Sequence, residues 1–389
     1  MKKYYIKDNV CVPYKLILNK IHKYLNANGW QNVSSSINAD IYIVGCCGAF
    51  HSLENESINF IKDAKRTNAE VIVYGCLVRI SPEKIISLKP DKIFPASDWE
   101  RFANLIQNPV KSFDMIPEAN DFRIKDEYRL YDPTKQFIFI QTGCSSNCPY
   151  CPHKLGIGEL KSRPVDEILK QVQFLNEIKV KTIVIHGNDT GSYGTDIGYT
   201  YPKLLKKILE ISPDIHLSQV NADWAYEYRK ELFPLLMNKK IKEFQVLIQT
   251  VSNRLLNIMA RKPIVKSLYK YISNLRNAKK DLLLRTDIII GFPSATEEEE
   301  NDTLKYVSEL FDEVAVHGFE LFPRTKINEM GFTFYPQKEI DRRVNNAINY
   351  LKLYPNILVH RGGQVYKTLI DIEEPKNQLR LIKDTKKNG

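Results

Sequence analysis

The sequence predicts an α/β protein: a small N-terminal parallel sheet of the Rossmann or flavodoxin-like kind, then a partial (βα)6 barrel, then a short C-terminal tail. Three observations carry this. Apolar strand-like runs alternate with helical stretches along most of the chain, the pattern of parallel sheets. The alternation is tight over residues 1–108, then stretches from 135 to 355 into βα units of roughly 35–45 residues, as in a barrel. Between the two lies a charged segment, 109–134, with Pro109, Pro117 and Pro133, which reads as a linker.

In the first region strands are expected at 3–7, 41–44, 70–74 and 92–94, with helices at 14–28, 52–66 and 99–107. In the second, six strands are expected near 137–141, 182–186, 215–220, 244–249, 282–290 and 314–322. Helices fall between them near 165–179, 201–211, 228–239, 265–279 and 297–311. Residues 356–389 hold two apolar stretches around Gly362 and Gly363, read as the start of a β-hairpin. The last fourteen residues carry five basic groups against one acid and read as a tail.

Composition excludes some classes. The chain has 389 residues, 43% hydrophobic and 26% charged, ordinary for a globular protein. No run of 18 apolar residues is present, so no membrane partner is expected. The N-terminus has two lysines but no apolar signal core behind them, so a cytoplasmic location is expected. A net charge of +10 suits a nucleic-acid partner and equally arises from a Lys- and Asn-rich composition alone.

The seven cysteines say more, since none follows Cys151. Without a secretion signal, metal or redox use is the expected role. Cys144, Cys148 and Cys151 are spaced C-x3-C-x2-C directly after an apolar strand. Three thiolates on one loop hold three corners of a four-iron cluster and leave one iron open to a small molecule. Zinc is the alternative; it needs a fourth ligand, for which His153 is the nearest candidate. Cys11, the pair Cys46 and Cys47, and Cys76 each fall just past the carboxyl end of a predicted strand. In open α/β sheets those ends share one edge, where ligands bind, so topology brings three more thiols together. Small buried core cysteines are the competing reading.

The stretch 141–163, with Tyr150 before the last cysteine, resembles the radical S-adenosylmethionine (SAM) enzymes. Its continuation through Gly158, Ser162 and Arg163 resembles one branch, the methylthiotransferases; Ile157 replaces that family's usual Arg. The segment GNDTGSYGTDIG at 187–198 is similar to the loop of the enzymes acting on threonylcarbamoyladenosine in tRNA. Gln249, followed by Thr250 in place of Ser, then Arg261, and TDIIIGFP ending past Gly291, match further family segments. Asn221 to Trp224 (NADW) replaces a Met- and Pro-containing segment of the tRNA branch, and the family's terminal substrate-gripping barrel, of the TRAM type, is incomplete.

The resemblance implies two [4Fe-4S] clusters. One rests on Cys144, Cys148 and Cys151 and binds SAM; the other rests on Cys11, Cys47 and Cys76, with Cys46 as the alternative to Cys47. It places Tyr150, Gly187, Asn188, Asp189, Gln249, Arg261 and Gly291 around SAM and makes Arg163 the candidate substrate contact. The implied activity is insertion of a methylthio group at an unactivated carbon, first of all in tRNA at adenosine 37. The alternatives are a peptide or protein side chain, or a non-catalytic, metal-stabilised RNA-binding protein. An electron donor such as flavodoxin or ferredoxin and a sulfur source are the further partners implied.

Overall fold

The computed structural model describes residues 1–119 and 135–362. Most of the expected tail and the second half of the expected linker lie outside the described residues.

The first sheet holds β1 (Lys3–Asp8), β2 (Gln31–Asn32), β3 (Ile41–Cys46), β4 (Glu70–Gly75) and β5 (Lys92–Pro95). All pair in parallel, in the order β2-β1-β3-β4-β5. Strand β3, IYIVGC, is buried at every position, as a central parallel strand covered on both faces must be. The helix Val12–Ala27 starts on Pro13 and covers one face; His51–Ala64 covers the other.

The second sheet comprises β6 (Lys135–Phe139), β9 (Thr182–His186), β10 (Asp214–Asn221), β11 (Ile241–Leu247), β12 (Leu283–Ile290), β13 (Glu313–Gly318) and β14 (Leu358–Arg361). Two two-residue strands, β7 (Gln141–Thr142) and β8 (Lys161–Ser162), pair antiparallel and pinch off the loop between them. Strand β12 shows the design. Leu284, Thr286, Ile288 and Ile290 are buried, while Arg285, Asp287 and Ile289 line the interior cavities. The lumen is polar. Glu243 holds Arg285 and His216 (2.6 and 2.8 Å), Arg285 also holds Glu313 (2.6 Å), and His317 holds Asp287 (3.0 Å).

Three expectations change. The first apolar stretch of the expected hairpin forms β14, which pairs in parallel with β13 and adds a seventh strand, and the second stretch lies outside the described residues. The helix Gln337–Leu351, absent from the sequence reading, makes the crossover and buries Ile340, Val344, Ala347 and Leu351. The described part of the expected linker is packed, because Phe113, Ile116 and Ala119 are apolar at threefold spacing and all three are buried. Phe113 meets Tyr24 edge-on at 5.0 Å, and Lys20 pairs with Glu118. Two short helices, Leu77–Ile80 and Pro82–Ser87, also went unread.

Candidate active site

Both sets of cysteines emerge at carboxyl ends of strands. Beyond β7, Gly143 sits at φ +72°, a left-handed turn that starts the cysteine loop. Lys154 clamps the loop by donating to Cys144 O and pairing with Glu159 (2.8 Å). Cys151 then stands at the N-cap of the helix Pro152–Ile157. Cys144, Cys148 and Cys151 line a cavity of about 230 Å³, together with Tyr150, Asn188, Asp189, Gln249 and Arg261. Eight sequence-predicted residues thus meet around one cavity.

Asp189 is the polar centre of that wall. Its carboxylate accepts from Asn221 N–H (3.3 Å) and Ser146 Oγ (3.4 Å) and lies 3.9 Å from Cys144 Sγ. Burial pushes its pKa up to about 6, against the lowering pull of the Asn221 N–H, the Arg261 charge, and hydrogen bonds from Ser146 and the Trp224 indole. Arg261 donates to Asn221 Oδ1 (3.1 Å) and Leu247 O (2.9 Å), and its Nε is buried without a partner. A fork of donors with one buried arm unfilled is suited to a carboxylate. Gln219 and Gln249, at φ +59° and +66°, both line the cavity. Left-handed backbone at two glutamines, where glycine would cost less, marks strain held at strand ends beside a cleft.

A second, smaller cavity is lined by Cys11, Cys47 and Cys76 with Tyr14, His153 and Asn188. Cys46 is not on its wall. Its Sγ donates to Val44 O (3.7 Å) and sits in the apolar cluster on the opposite side of the sheet, because successive side chains alternate faces. The two cavities share Ala49, His153, Ile157 and Asn188. Gly156 explains how they come so close: a Cβ there would lie 2.5 Å from Cys76 Cβ and 2.9 Å from its carbonyl oxygen. The first sheet also reaches across. Phe50 stacks on His317 at 5.8 Å, His51 N–H donates to Glu320 (2.6 Å), and the His51 ring stacks on Phe322.

Three sequence-predicted residues stand off the cavity. Arg163 donates to Phe139 O (2.8 Å) and Gln171 Oε1 (2.9 Å), which ties the chain to β6. Gly187 packs on Gln141, where a Cβ would meet Cγ at 3.0 Å. Gly291 donates its N–H to Glu300 (2.7 Å) and lies against Ile340. Conversely, Ser146, Gln219, Asn221, Trp224, Asp287, His317 and Phe50 belong to the site or hold it, and the sequence reading gave none of them such a place. Asn221 and Trp224 were legible as a departure at a strand end, and Ser146 and Asp287 sit inside matched segments without a role of their own there; Gln219 and His317 carried no signal.

Comparison with known proteins agrees with this arrangement. Residues 138–307 match the Radical SAM superfamily, and residues 4–95 match the Uncharacterized protein family UPF0004. The chain is 29% identical to the ribosomal protein uS12 methylthiotransferase RimO of Thermosipho melanesiensis, over 79% of this chain and 73% of that protein. It is 27% identical to the threonylcarbamoyladenosine tRNA methylthiotransferase of Mus musculus, over 80% of this chain. The chain spans 54% of that mouse protein's length. The two matched stretches take in the cysteine sheet and the barrel. In both parts the chain is similar to the radical SAM methylthiotransferases. These relatives are named as transferases, and this chain is an enzyme of that class. In fold it resembles TsrM, a radical SAM methyltransferase from Kitasatospora setae, with a TM-score of 0.61 at 13% identity over 84% of this chain and 75% of that one.

The family implies an iron–sulfur cluster and SAM, and the residues suit them. Sulfur ligands of such clusters are tuned by hydrogen bonds. Backbone N–H groups aim at Cys144 from Ser146, at Cys47 from Ala49, at Cys11 from Tyr14, at Cys76 from Gly48 and Leu77, and at Cys151 from Lys154 and His153. Cys46, whose thiol donates to a carbonyl, has no such aim. Burial pushes the Cys144 and Cys151 thiols up to about 12 and 11, a cost that a cationic iron centre offsets.

Proposed function

We propose that this enzyme inserts a methylthio group at an unactivated C–H carbon, C2 of threonylcarbamoyladenosine 37 in tRNA. The observation that supports it most is the pairing of two three-thiol cavities across one thin wall. Clusters held by the two trios, with SAM beside the barrel trio, would supply the radical and the sulfur. The chain supplies the binding, the orientation and the exclusion of water. Cys144, Cys148 and Cys151 leave one ligand position free for SAM, and Arg261 offers its open donor to the SAM carboxylate. Asn188 and Asp189 face the amino group, and Tyr150, held edge-on to Phe292 at 5.5 Å, closes the apolar side. Phe50, Phe319 and Phe322 at the rim keep water from a reactive carbon. Cys11, Cys47 and Cys76 would hold the second group across the shared wall, and it would supply the sulfur to a substrate carbon in the barrel cavity. An electron donor of the flavodoxin or ferredoxin type and a sulfur source complete the turnover.

The tRNA substrate rests on the loop at 187–198, the basic charge and the tRNA-modifying relatives. A second reading, methylthiolation of a protein side chain, is favoured by the likeness to RimO across 73% of that enzyme. Mass spectrometry of tRNA nucleosides and of tryptic ribosomal peptides, with and without the gene, tests both. A 2-methylthio adenosine derivative that vanishes with the gene is the expected result. Unchanged nucleosides with a peptide losing its methylthio mass would instead select the protein substrate.

A further inference from the structure

The wall of the smaller cavity carries one group to which the reading above gives no task. Tyr14 stands in the first turn of the Val12–Ala27 helix, three residues after Cys11, and is 1% exposed. Its ring is fixed edge-on between Tyr74 and Phe139, with centroids 6.4 Å away on either side. It lines the cavity beside Cys11, Cys47 and Cys76, and its hydroxyl is buried without a hydrogen-bond partner. Asn188, reaching in from the barrel, is its neighbour. The Asn188 Oδ1 is likewise buried and unpartnered, and the Asn188 side chain lies within reach of the Tyr14 hydroxyl.

A buried hydroxyl left unbonded carries the cost of its lost hydration without a compensating bond. Folded proteins rarely carry that cost without a ligand, ion or water that completes the bond. A tyrosine hydroxyl keeps its proton at neutral pH, so the oxygen is able to act as a donor. The acceptors on the cavity wall are the three cysteine sulfurs and the amide oxygens of Asn9 and Asn188, and Asn9 Oδ1 is already taken by Cys47 N–H and Ser57. Tyr74 is the natural control: its hydroxyl is also buried and unpartnered, its ring touches Tyr14, and it is not on the cavity wall.

We propose that Tyr14 donates a hydrogen bond to a sulfur of the iron–sulfur group held by Cys11, Cys47 and Cys76, and thereby raises that group's reduction potential. The proposal rests on the cluster reading given above. A hydrogen bond to sulfur draws off electron density and favours the reduced form, so losing it lowers the potential. Phenylalanine would keep the ring contacts and lose only the donor.

The test uses the full chain with Cys144, Cys148 and Cys151 changed to Ala, reconstituted with iron and sulfide so that only the N-terminal group is present. In this background Tyr14→Phe is expected to retain iron, to show a lower midpoint potential, and to lose one exchangeable-proton coupling in electron–nuclear double resonance between H2O and D2O. Tyr74→Phe is expected to change neither. An unchanged potential and coupling in Tyr14→Phe, or an equal shift in Tyr74→Phe, overturns the proposal while leaving the cluster reading standing. If the parent variant binds no iron at all, the cluster reading itself fails and takes this one with it. Should Tyr14→Phe lose its iron, Tyr14→His restores a donor and is expected to recover it; failure of that rescue also counts against the proposal.

Discussion

At the scale of single residues, the orientation of two adjacent cysteines decides which one faces the second cavity. Cys47 faces Cys11 and Cys76, and its thiol donates to Cys76, whereas Cys46 faces an apolar cluster. Cys47→Ala is therefore expected to remove about half the iron of the reconstituted enzyme, and Cys46→Ala none; colorimetric iron and sulfide assays read both. Sequence could not make this choice, because a one-residue difference at a strand end flips the face and depends on where the strand stops. What sequence did carry was the spacing of the barrel cysteines, since a short loop fixes its own geometry. Arg163 shows the converse limit. Its place in a motif was legible, but its guanidinium is taken up by Phe139 O and Gln171, which only the fold reveals.

At the scale of elements, the helix Pro152–Ile157 carries the contact between the two cysteine sites through Gly156. Gly156→Ala puts a methyl against the Cβ and carbonyl of Cys76, atoms that cannot swing aside. It is expected to destabilise by about 1–3 kcal/mol and to shed iron from the N-terminal site first, seen as a lower denaturant midpoint and as iron loss. The barrel floor gives a pH prediction. Burial alone would raise Glu243, but hydrogen bonds from His216 and Arg285 outweigh it and hold the carboxyl at about 2. Its unfolded value is about 4.3. With the folded pKa depressed, its contribution is complete above about 4.3 and is lost as pH falls towards 2. Glu243→Gln is expected to flatten the loss of stability over that acid range in denaturant titrations, while lowering stability at neutral pH. The alternation of strands and helices that frames these elements was readable because β-branched runs and amphipathic stretches follow local rules. The crossover helix Gln337–Leu351 escaped because its exposed face is so charged that its four buried residues hardly stand out.

At the scale of the whole molecule, net charge and the joining of the two sheets matter most. If tRNA is the substrate, the net charge of +10 should show as salt-sensitive binding, with log K falling by roughly 0.7–0.9 per phosphate contacted as log salt rises. Fluorescence anisotropy with an anticodon stem-loop measures the slope; a flat response would remove the tRNA reading. The sequence announced two parallel sheets and a boundary between them. It gave no hint of how Phe50 and His51 would seat on Phe322, Glu320 and His317, because contacts between distant segments leave no periodic trace.

Ala49 from the first sheet and His153, Ile157 and Asn188 from the barrel are held in common by the two cavities. Neither half of the chain, expressed by itself, would possess a finished cage. Metal loading should accordingly come after the halves have docked, and a fragment ending before residue 135 should emerge colourless even when iron and sulfide are abundant.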